Sequence, residues 1–111
     1  MSDSDDLTAR IERLEAFEER CGVRLDALFA GGWGYPFEVN GELHPRDGAE
    51  LKQDLQIVVD VYDSAGRLVD HRAERFSAQL FFGFAAFSIM VFPKTSDVSE
   101  IRKIRIYPRP C

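Results

Sequence analysis

The residues of this sequence whose types could do chemistry are two histidines, a set of aspartates, two cysteines and a basic–aromatic stripe near the end. His44 precedes Pro45, with Asp47 close behind, and His71 stands beside Asp70. A histidine acting as a general base needs a nucleophile or a bound water in reach and a third group to orient it. Neither histidine has such a partner in the sequence, so both are expected at the surface and no catalytic residue is assigned. Asp60, Asp63 and Asp70 fall near one hairpin, but calcium needs about six to eight oxygens and a suitable loop. The spacing offers no such loop.

Cys21 lies between Arg20 and Arg24, basic neighbours of the kind that lower a thiol pKa, yet it also falls on an apolar face where packing explains it. Neither Cys21 nor Cys111 belongs to a close cysteine pair or a Cys/His cluster, so no zinc, other metal or cofactor is expected. Arg102, Lys103, Arg105 and Arg109 with Tyr107 form the basic–aromatic stripe, and alternation puts Lys103, Arg105 and Tyr107 on one face. The net charge of −5 opposes nucleic acid or an anionic membrane as partner. That charge is uneven: residues 1–26 hold eight acids against four arginines, and residues 94–111 hold five bases against two acids. The two ends are expected to be ordinary solvated faces, with mutual attraction as the alternative.

The elements that must position these groups begin with a helix expected over residues 5–21. Leu7, Ile11, Leu14, Cys21, Leu25 and Leu28 fall on a 4-3 spacing, with Glu18 where another apolar residue would sit. Asp5 and Asp6 suit the first turn, Ser4 is a candidate cap, and Gly22 is the natural stop. In a heptad Ile11 takes an a position and Leu14 a d position, with Arg10 and Glu15 at g and e. So short a helix is marginal alone in water. Leu7, Ile11, Leu14, Phe17 and Cys21 are therefore expected to associate with a second copy of the chain; docking on the chain's own sheet is the alternative. Residues 25–30 could add a helical turn. The run from Gly31 to Pro36 then reads as a hinge, so residues 1–30 form an arm and residues 35–108 a body.

The body reads as strands. Leu55, Ile57, Val59 and Val61 alternate with Gln56, Asp60 and Tyr62, and Asp63-Ser64-Ala65-Gly66 is a hairpin turn with Gly66 in the left-handed position. Residues 67–76 should return as a charged edge strand. Residues 37–43 give an earlier strand, and residues 84–92, apolar on both faces, a central one. Residues 101–107 give a last strand, with Ile104 and Ile106 inward, stopped by Pro108 and Pro110. Short strands separated by turns specify an antiparallel β-sandwich of immunoglobulin-like type, preceded by an amphipathic helix.

The stretch from Leu55 to Val69 (LQIVVDVYDSAGRLV) resembles the central hairpin of the FxLYD domain, a short bacterial immunoglobulin-like module. An apolar strand ends in Tyr62-Asp63 and turns on Asp63-x-x-Gly66. Gly83, the run from Phe87 to Val91 and residues 101–107 fit the later part. The resemblance covers about two-thirds of the chain and implies a fold, with no catalytic residues to transfer. Family members are often exported, whereas Met1-Ser-Asp-Ser-Asp-Asp6 has no apolar signal region and residues 80–92 are too short to span a bilayer. A cytoplasmic protein is expected. The sequence thus points to a non-catalytic protein-binding or assembly module that self-associates through its helix and has a further protein partner. The alternative is a carrier of a small apolar ligand. Trp33, Tyr35 and Tyr107 are the candidate ligand or partner surface.

Overall fold

A computed structural model describes residues 5–32, 36–93 and 98–111. In chain order these form β1 (Asp5–Asp6), a 3-10 turn (Thr8–Arg10), β2 (Ile11–Arg13), α1 (Glu15–Cys21), β3 (Val23–Gly32), β4 (Phe37–Pro45), β5 (Leu55–Asp63), β6 (Leu68–Phe76), β7 (Ala85–Val91) and β8 (Ile101–Pro110). The strands make two four-stranded sheets, ordered β1-β3-β4-β7 and β2-β8-β5-β6. The chain is mainly β. In constant-type immunoglobulin domains the second and third strands lie in opposite sheets; here β3 and β4 are neighbours in one sheet, taking β1 and β2 as a divided first strand. All pairs are antiparallel except β2 with β8, which is parallel.

Period-two patterning builds the interior. Phe37, Val39 and Leu43 from the first sheet and Leu55, Ile57, Val59, Ile104 and Ile106 from the second join one hydrophobic cluster, each almost fully buried. At about 1.5–3 kcal/mol per buried large side chain, this cluster is the main source of stability. The Asp63 hairpin forms as its residues dictate. Gly66 takes φ +81°, its N–H bonds the Asp63 carbonyl at 3.0 Å, and Asp63 Oδ1 accepts from the Ala65 and Arg67 amides, each at 2.9 Å.

The segment expected to be a continuous helix is short pieces instead. Only Glu15–Cys21 is helical. Asp5–Asp6 pairs with β3, the Leu7 amide bonds the Ala30 carbonyl at 2.7 Å, and Ile11–Arg13 pairs with β8. Two sheet edges thus offer backbone partners to residues that an isolated helix could hold only marginally. The stop at Gly22 is as expected: it sits at φ +71° and its N–H reaches the Glu18 and Glu19 carbonyls. The segment taken for an arm therefore supplies β1, β2 and most of β3 to the two sheets, with α1 between β2 and β3.

Glu18, the residue that interrupted the heptad, is fully buried. Its carboxylate accepts from Arg13 Nη2 at 2.6 Å, Arg13 Nε at 3.0 Å and the Leu25 amide at 3.1 Å, while Arg13 Nη2 also donates to the Leu25 carbonyl. The bond to Glu18 pushes the Arg13 pKa further up. One ion pair therefore ties α1 to both β2 and β3.

Three other expectations change. Residues 25–30 are strand, because β3 carries a bulge between Asp26 and Phe29, with Ala27 at φ +53°. One extra residue turns a spacing of two into three, so Leu25 and Leu28 both reach the core and imitate a helical period. The ladder of β8 runs through the two prolines, with Pro108 opposite Ile57 and Pro110 opposite Leu55. The strand over residues 84–92, expected at the centre, is the edge strand β7, paired among the described residues with β4 alone. Its core positions Phe87, Ile89 and Val91 are buried, but Ala86, Ser88 and Met90 face solvent.

Candidate functional site

Strand alternation places Glu12, Asp60, Tyr62, His71, Arg105 and Tyr107 together on the outer face of the second sheet. The register sets Asp60 between His71 and Arg105. Asp60 is 8% exposed, and both its oxygens are engaged: one with His71 Nδ1, the other accepting from the Tyr107 hydroxyl at 2.9 Å. Burial, then the bond to Asp60 and its negative charge, push the Tyr107 pKa up to about 12. Beside them Arg105 Nε donates to Glu12 at 2.6 Å, and its guanidinium lies 5.2 Å from the Tyr62 ring centroid. The bond from Arg105 holds the Glu12 carboxyl below its usual range.

An aspartate orienting a histidine is half of a catalytic arrangement. Sequence reading missed this pair because the two residues are brought together by the β5–β6 register. Among the described residues, however, no hydroxyl or thiol hydrogen-bonds to His71, and no cluster of three metal-binding side chains occurs. His44 also gains a partner, bonding Glu42 Oε1 at 3.0 Å and stacking on Phe84 at 5.1 Å. Each histidine is a surface group held by a carboxylate.

The residues expected at an oligomer seam separate. Leu7 and Cys21 are buried in the chain's own core, and Ile11 packs against it. Leu14 precedes α1, its amide bonding the Ile106 carbonyl at 3.4 Å. Phe17 is part-exposed and meets Tyr107 edge-on at 5.3 Å. Phe17, Cys21 and Tyr107 thereby line one mostly apolar groove of about 310 Å³ between α1 and β8, with Pro108 and Pro110, flanked by Arg20 and Arg109. Burial pushes the Cys21 thiol up, outweighing the Arg20 charge, and the side chain packs into the core. Trp33 and Tyr35 lie outside the described residues.

The most exposed apolar surface lies elsewhere. Leu80, Phe82, Phe84, Met90 and Phe92, all large and at least 43% exposed, belong to β7 and its flanks. The β7 edge has no charge and no proline from Ala85 to Val91. The outer edge of the other sheet, β6, carries Asp70, Arg72, Glu74 and Arg75, as protected edges do. At the end of β7 the Phe92 amide bonds Asp70 Oδ2 at 2.7 Å, and Arg72 lies over the Phe92 ring at 5.1 Å. That amide points away from β4. Backbone polar groups alternate sides along a strand, so the N–H and C=O of Met90, Ser88 and Ala86 point the same way. Among the described residues they have no backbone partner on that side.

The one-sided burial of β7 was legible in the sequence. A strand buried on both faces is rich in branched residues throughout, whereas alternate positions here are Ala86, Ser88 and Met90. No helix among the described residues is long and apolar enough to cross a membrane. No family model, curated protein or solved structure matches this chain.

Proposed function

We propose that the protein is a non-catalytic binding or assembly module that accepts an extended, uncharged strand along the β7 edge. The observation that carries this reading is the row of unpaired backbone groups at Ala86, Ser88 and Met90, on an edge without the charges that guard β6. Strand addition draws affinity from main-chain hydrogen bonds and selectivity from alternate side chains. The N-terminal segment is a poor seam for assembly, because Leu7, Ile11 and Cys21 are engaged in the chain's own core. In fold terms the reading is a face-to-face sandwich, immunoglobulin-like in its layers rather than in its strand order. The likeness of residues 55–69 to the FxLYD hairpin supports kinship at that level. An exposed free thiol at Cys111 suits a reducing compartment such as the cytoplasm.

A second reading, a carrier of a small apolar ligand, is favoured by the groove between α1 and β8, where Arg20 and Arg109 suit an anionic end. Amide-resolved NMR titration separates the two. With short uncharged synthetic peptides of alternating β-branched and small residues as ligands, the shifts should centre on Ala86, Ser88 and Met90. A fatty or aromatic carboxylate that moves Cys21 and Tyr107, with no peptide response at β7, would refute the strand-addition reading in favour of the carrier.

A further inference from the structure

We infer that the occupant of the β7 edge is the β7 strand of a second copy of this chain, an inference that rests on reading β7 as an open binding edge. The argument is one of self-complementarity. A two-fold axis through Ser88 pairs two β7 strands antiparallel, with Ser88 opposite Ser88 and Ala86 opposite Met90. All three residues have their free backbone groups on the joining side. Each hydrogen-bonded pair in an antiparallel ladder exchanges two bonds, so this register forms about six.

The side chains agree with that register. Small Ala86 meets large Met90, and just beyond the strand ends Phe84 meets Phe92 of the second copy. Phe84 and Phe92 are 55% and 45% exposed in the single chain. Aromatic cross-strand pairs of this kind stabilise a sheet, and β7 itself carries no charge from Ala85 to Val91. The result is one continuous eight-stranded sheet, closed by two-fold symmetry, which leaves no β7 edge for further addition. The charges on β6 exclude the equivalent joint on the other sheet.

The test is light scattering on the full chain across a dilution series reaching high micromolar, with amide hydrogen exchange on the same samples. The expected result is twice the chain mass at the concentrated end, with Ala86, Ser88 and Met90 amides protected there and exchanging freely on dilution. Ser88→Pro removes an edge donor without touching the β4 ladder, and Met90→Lys places a charge on the joint. Both should be monomers, while Ala73→Lys on β6 remains a dimer. Because Met90 is exposed in the single chain, Met90→Lys reports on pairing even if Ser88→Pro fails to fold. A dimer that survives Met90→Lys overturns the inference. So does a wild-type monomer at the highest concentration; in that case a peptide of residues 84–92, or another uncharged strand, that protects the β7 amides leaves the edge reading standing. A monomer whose β7 amides no peptide protects overturns both.

Discussion

Replacing Glu18 tests whether the helix is a clamp within the chain or part of an exposed seam. Its carboxylate serves three donors, two from Arg13 and one from the Leu25 amide, and Leu25 itself is fully buried. In Glu18→Ala the Leu25 amide is left without its acceptor in a dry site, which costs about 1–3 kcal/mol. Breaking a buried ion pair from one side costs about 3–5 kcal/mol. The Arg13 side chain is 35% exposed, so water recovers part of its solvation. The expected loss is therefore about 3 kcal/mol, a large share of a stability of about 5–15 kcal/mol. Glu18→Gln keeps an oxygen for the Leu25 amide and Arg13 Nη2 but loses the charge and sets an NH2 against Arg13 Nε, so a cost of about 1–2 kcal/mol is expected. Equilibrium urea unfolding of wild type, both single variants and Arg13→Ala/Glu18→Ala measures these values and the coupling. Glu18→Leu is the decisive variant. At an exposed heptad position it would strengthen association at no cost to folding, whereas here it leaves the Leu25 amide and Arg13 unmatched. A Glu18→Leu protein as stable as wild type, or a Glu18→Ala cost under about 1 kcal/mol, refutes the reasoning.

Tyr107 should titrate near pH 12 by ultraviolet absorbance. Its folded pKa lies above the ordinary 10.0, so the stability it contributes is complete below pH 10 and declines as pH rises from there toward 12. Asp60→Asn removes the charge and should bring the midpoint back toward 10; an unchanged midpoint would mean burial alone sets it. Gly41→Ala places a Cβ 2.7 Å from both Leu28 Cδ2 and Phe87 Cζ and 3.2 Å from the Asp26 carbonyl. An overpacking cost of about 1–3 kcal/mol is expected, read as a lower urea midpoint with unchanged slope.

The candidate surfaces were legible to different degrees. The alternation that turned Lys103, Arg105 and Tyr107 outward could be read directly, but their partners could not. Glu12 reaches Arg105 because β2 lies beside β8, and His71 reaches Asp60 because of the β5–β6 register. Phe17, Cys21 and Tyr107 were each singled out, two for a seam and one for a ligand surface. Only the packing of α1 against β8 joins them in one groove. The edge position of β7 was misread because hydrophobicity reports burial and says nothing of which strands stand beside it.

By itself the sequence determined what local chemistry controls: the Asp63–Gly66 turn, the stop at Gly22, the alternating faces of β5 and β8, and the charged edge of β6. These follow from the conformations and side-chain spacings that a few adjacent residues allow. Tertiary structure decided the rest. Residues 5–13 gave up a helical period for strand pairing because β3 and β8 offered unpaired edges. A single inserted residue in β3 disguised a strand as a helix. Glu18, an apparent flaw in an apolar stripe, found its partner on β2 and its acceptor role on β3. For residues 5–13 and for β3, hydrogen-bond partners distant in sequence outweighed a local preference worth only tenths of a kcal/mol to about 1 kcal/mol per residue.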